Sequence, residues 1–139
     1  MSFYKIFSGR LTARRIGTLN TEALDYNKYI IAFVASSEAE KFEIVTLQRR
    51  FDDSDPFTII ASNRPSIKGE YTTELGYLNP ANQIDLFWVV RAVTKINGIA
   101  VYIINDNSKV IRKVFPATGA KSLARGEDWG ERVDNFQLF

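Results

Sequence analysis

Leu86-Phe87-Trp88-Val89-Val90-Arg91-Ala92-Val93, followed after three residues by Asn97-Gly98 and then Ile99-Ala100-Val101-Tyr102-Ile103-Ile104, is the stretch on which the reading of this chain turns. Two apolar runs rich in β-branched and aromatic residues flank an Asn-Gly pair. Such a pair supplies the two positive-φ residues of a type I′ turn, whose twist matches that of a hairpin. A competing reading starts from Asn79-Pro80, which suits a helix N-cap and first helical position, and stops a helix at Gly98. The β-branched run Val89-Val90, Val93, Thr94 weighs toward strand. With a second turn at Asn105-Asp106-Asn107-Ser108 and the run Val110 to Phe115, residues 84–115 read as a three-stranded meander, with a helix near residues 80–96 as the alternative.

The remaining segments agree with a sheet protein. Tyr29 to Val34 is a short continuous apolar run, the mark of a buried strand. Across the polar loop Ser36–Lys41 it is expected to form a hairpin with Phe42 to Leu47. Asp52-Asp53-Ser54-Asp55-Pro56 is a turn, since Asx side chains bond their own backbone and Pro fixes φ. Phe57 to Ala61 and Glu70 to Tyr77 follow as strands, the second with Tyr71, Thr73, Leu75 and Tyr77 on one face. Phe3, Lys5 and Phe7 alternate with Tyr4 and Ile6 in an N-terminal strand. The segment 116–130 reads as the longest irregular stretch, and the apolar end Val133 to Phe139 is expected to be tied into a sheet or docked on a partner. The fold class is therefore mainly β: an antiparallel sandwich or barrel of about seven to nine strands, or α+β if the helix forms.

All 139 residues fit one domain, and a 45% apolar, 13% aromatic composition can fill a core. The net charge is +2, but residues 1–21 hold Lys5, Arg10, Arg14 and Arg15 and no acid, so the rest of the chain is net −2. A mildly basic N-terminal arm or strand on a near-neutral body does not mark a nucleic-acid binder or a polybasic membrane protein. The chain shows no signal peptide and no apolar run long enough to span a bilayer. Together with the absence of cysteine this places the expectation in the cytoplasm or elsewhere inside the cell.

Function is constrained mainly by what is missing. The chain has no His and no Cys, so Ser-His-Asp and Cys-His machinery, thiolate sites and His-containing zinc sites are excluded. The expectation leans away from an enzyme, with no cofactor and no metal. Asp52, Asp53 and Asp55 lack the spacing of a calcium loop. Gly119-Ala120-Lys121-Ser122 lacks the glycines of a phosphate loop.

Two functional readings lead, ahead of a His-independent enzyme working through two carboxylates in one pocket and of nucleic-acid binding by the basic arm. The first is a non-catalytic structural or interaction protein acting by surface contact with itself or another protein, in a homo-oligomer or larger assembly. Its candidate contacts are Phe3, Tyr4, Arg10, Arg14, Arg15, Phe136, Leu138 and Phe139. The second is a lectin-like module for a small ligand or glycan on the 116–130 loop. There Trp129 offers a stacking face beside Arg125, Glu127 and Asp128. Against it stands the plainer reading of Trp129 as a plug at the core edge.

Overall fold

The computed structural model describes residues 27–51, 54–78 and 83–137, which form ten strands and no helix. These are β1 (Asn27–Ala35), β2 (Lys41–Arg50), β3 (Thr58–Ser62), β4 (Ile67–Lys68), β5 (Glu70–Leu78), β6 (Gln83–Ala92), β7 (Ile96–Asn105), β8 (Val110–Phe115), β9 (Lys121–Leu123) and β10 (Asp128–Gln137). They make two antiparallel five-stranded sheets. One has the order β5-β1-β7-β8 with β9 on β7, the other β10-β6-β2-β3 with β4 on β2. The mainly β sandwich is thus as expected, and residues 83–92 are strand rather than helix. The strand number exceeds nine because two edge lanes are each shared by two short strands. Along β7, β9 meets Ile96 and Ile99 while β8 meets Val101 to Ile104. Along β2, β4 meets Lys41 and Phe42 while β3 meets Thr46 to Arg49.

Two expected hairpins are instead crossings between sheets. β1 and β2 are consecutive but lie in opposite sheets, as do β6 and β7. The meander over 84–115 therefore survives only as the β7–β8 hairpin, where Asn105 Oδ1 accepts from the amides of Asn107 and Lys109 at 2.9 Å. Asn97-Gly98 is not the turn. The chain turns at 93–95, and Asn97 and Gly98 fall inside β7, between Ile96 and Ile99, where the register with β9 shifts. The shift lets Ile96 and Ile99, three positions apart, both face the core. Gly98 also leaves room: a Cβ there would stand 3.1 Å from that of Ala120. The region 116–130 is less irregular than its composition suggests, since it contains β9 and the start of β10.

The inter-sheet core is built from one face of each central strand. Tyr29, Ile31 and Phe33 of β1 and Val101 and Ile103 of β7 meet Phe42, Ile44 and Leu47 of β2 and Ile84, Leu86, Trp88 and Val90 of β6. Trp88, 0% exposed, lies at its centre, edge-on to Phe33 at 5.7 Å and to Trp129 at 4.7 Å between ring centroids. The other face of β1 and β7 is buried too, through Ile30, Ala32, Val34, Ala100, Tyr102 and Ile104. That double burial is why Tyr29 to Val34 reads as unbroken apolar sequence rather than alternation. In β5 a bulge opposite Tyr29/Ile30 breaks the expected single face. Leu75 and Leu78 are buried, while Tyr77 is exposed.

One buried carboxylate ties the two crossings together. Glu40, at the end of the β1–β2 connection, accepts from the Ser36 amide at 3.1 Å and hydroxyl at 2.7 Å, and from the Asn97 amide at 2.9 Å. Burial pushes its pKa up, but the hydrogen bonds from Ser36, Asn97 and Ser37 outweigh this and hold it below the ordinary 4.5. A carboxyl with a lowered folded pKa stabilises the fold above its unfolded pKa, and that contribution is lost as pH falls through the folded value. Glu40→Gln is therefore expected to cost about 1–3 kcal/mol at neutral pH. It should also flatten the loss of stability below pH 4.5, measured by urea unfolding across a pH series. Truncating the central indole, Trp88→Ala, should cost about 3–5 kcal/mol in the same assay at neutral pH.

Candidate functional surface

The glycine-rich corner singled out by sequence is held by its own hydrogen bonds. Gly126, at φ 83°, donates to Ala92 O at 2.7 Å, and Ala92 N donates to Glu127 O at 2.9 Å. The Glu127 carboxylate turns back to accept from the Ala124 amide at 2.9 Å. Asp128 is gripped by Arg91, through Nε at 2.7 Å and Nη2 at 3.3 Å, and Arg91 also reaches Glu43 at 3.3 Å. Arg125 is exposed. Trp129 belongs to β10, not to a loop, and packs half-buried against the core with its ring against Trp88. The structure thus brings Arg125, Glu127, Asp128 and Trp129 to one corner and commits two carboxylates and one indole to internal contacts there. Gly130 is explained by close approach. A Cβ on it would sit 2.5 Å from Trp88 O and 2.9 Å from Val89 Cγ2.

Of the candidate assembly contacts, Phe3, Tyr4, Arg10, Arg14, Arg15, Leu138 and Phe139 lie outside the described residues, as do Asp52 and Asp53 of the acidic turn. Phe136 is buried in the inter-sheet core, reached through a bulge after Val133 where Asn135 takes φ 56°. Arg112 of the facing sheet lies 4.6 Å from its ring and donates to Gln137 O at 2.7 Å. No three acidic side chains among the described residues converge as a metal site. None of the described residues forms a helix long and apolar enough to cross a membrane.

Other exposed apolar side chains lie toward the end of the sandwich where β2, β5, β7 and β10 finish and β3, β6 and β8 begin, Ile59 pointing out of one sheet and Tyr77 and Val110 out of the other. Phe51, Ile59, Tyr77 and Val110, the large apolar side chains most open to solvent among the described residues, all lie there, at 43%, 61%, 39% and 40% exposure. Cations accompany them. Arg49 stands over Phe51 at 4.4 Å, Arg50 and Arg132 over Phe57 at 4.9 and 5.1 Å, and Lys28 beside Tyr77 at 5.9 Å. Arg50 also forks Asp85 through Nη2 at 2.7 Å and Nε at 3.1 Å. Asp85 accepts the Asn135 amide at 2.7 Å, and these bonds, led by that from Asn135, pull its pKa below the ordinary 3.8. Lys28 pairs with Glu74. Sequence reading did not single out these residues because they are scattered over β3, β5, β8 and the bend after β2, and only the register brings them toward one end.

Substituting Gly130→Ala should overpack the β10–β6 contact and cost about 1–3 kcal/mol, seen as a lower urea midpoint with an unchanged slope.

No known protein family and no curated protein matches the chain. Among solved structures, a DUF4425 family protein from Bacteroides ovatus ATCC 8483 is similar at 11% identity, over 78% of this chain and 93% of that one, with a TM-score of 0.34.

Proposed function

We propose that this protein is a non-catalytic structural or interaction protein that works by surface contact, in a homo-oligomer or larger assembly, and that the end of the sandwich bearing Phe51, Ile59, Tyr77 and Val110 is its contact face. The observation that carries the reading is that these four side chains, the most exposed large apolar groups among the described residues, lie toward one end of the sandwich, Ile59 on the outer face of one sheet and Tyr77 and Val110 on that of the other. Single apolar residues are ordinary on a protein surface, and it is their recurrence toward one end, with Arg49 over Phe51 and Lys28 beside Tyr77, that supports the reading. Arginine beside aromatic rings is also the composition of energetically dominant interface residues.

Light scattering over a wide concentration range provides the test. The parent chain should give a mass at least twice that of one chain, and Ile59→Lys, on an exposed edge-strand position, should shift it to a monomer without loss of fold. A monodisperse monomer at every concentration removes the self-assembly reading.

A further inference from the structure

Along β2 the residues facing the core are Phe42, Ile44 and Leu47, the step from 44 to 47 being made by the bulge between Ile44 and Thr46. The next position of that series is Arg49, directly opposite the fully buried Leu86 of β6, and cross-strand partners share a face. A guanidinium is therefore carried inside the rim, between the two sheets. It reaches across to the facing sheet, where Nη2 lies 3.7 Å from the place a Cβ would take on Gly76. The Phe51 ring covers one side, 4.4 Å from Cζ.

Nε and Nη1 of this group are buried and have no hydrogen-bond acceptor. Its neighbour shows the contrast: Arg50 has its acceptor in Asp85, supplied by the fold. Burial lowers the pKa of Arg49, yet an arginine stays charged in a protein, so its donors remain unmet. Buried donors without acceptors are costly, and a fold that keeps one at an open rim invites an acceptor from outside.

We propose that Arg49 anchors a binding site for a small carboxylate, seated at the open end of the sandwich between β2 and Gly76 of β5. The Nε and Nη2 edge of the guanidinium, which includes one of the two unmet donors, presents two parallel donors at the spacing of two carboxylate oxygens. Gly76, at φ 104°, puts no side chain beside Nη2, which lies at van der Waals distance from where a Cβ would stand. Phe51 supplies an apolar wall for the body of the acid, so benzoate or a short fatty acid fits better than acetate. The inference does not depend on the assembly proposed above.

Unfolding of the full chain, at fixed pH and ionic strength with chloride replaced by acetate, benzoate or phosphate, tests it. An anion at ten times its dissociation constant multiplies the folding equilibrium by about elevenfold. Benzoate should stabilise the parent in this way, and equally Arg125→Met, which removes an exposed cation at the other end. Arg49→Met should abolish the effect, and Arg49→Lys, which keeps the charge without the fork, should lose most of it. Equal stabilisation of the parent and Arg49→Met, or none in the parent, overturns the site. Stabilisation by phosphate with none by either carboxylate overturns the ligand class.

Discussion

Trp88 is the point through which the two sheets are held together. Its indole touches Phe33 from the facing sheet and Trp129 from the neighbouring strand, and Phe115 closes the cluster at 6.2 Å. Edge-on aromatic packing of this kind fixes separation and angle as well as contributing buried area. Several local features follow from the need to keep that cluster intact. Gly130 lets β10 approach the Trp88 backbone, and Arg112 closes over the ring of Phe136 at the edge of the same apolar layer.

Around this core the chain repeatedly changes which side of a strand faces inward. Bulges after Ile44, after Ile96 and after Val133 each return a side chain to the core that strict alternation would send outward: Leu47, Ile99 and Phe136. The same device puts Arg49 inside. Strand parity, more than composition, decides where the chemistry of this protein lies.

The sheet character was legible because it rests on local signals. Tyr29 to Val34, Leu86 to Val93 and Ile99 to Ile104 are rich in β-branched and aromatic side chains, and the Asn105 turn carries its own side-chain hydrogen bonds. The pairing was not legible, because a polar loop that makes a hairpin and one that crosses between sheets have the same composition. Asn97-Gly98 shows the limit well. The dipeptide is as suited to a bulge as to a turn, and only Glu40, 57 residues distant, and Ala120 determine which it becomes. Arg49 was hidden for the same reason. Counting by two from Phe42 places it on the outside, and the extra residue that reverses this has no mark in the sequence.

The strand order has a consequence for how the molecule comes together. Most neighbours within the sheets are remote along the chain: β1 lies between β5 and β7, and β6 between β2 and β10. Closing such large loops costs entropy before any contact repays it, so folding should be slow, on the order of milliseconds to seconds, in the manner of other all-β topologies. Because β10 supplies both Trp129 and the last partner of β6, a ribosome-bound chain cannot complete its second sheet until residues 128–137 have emerged.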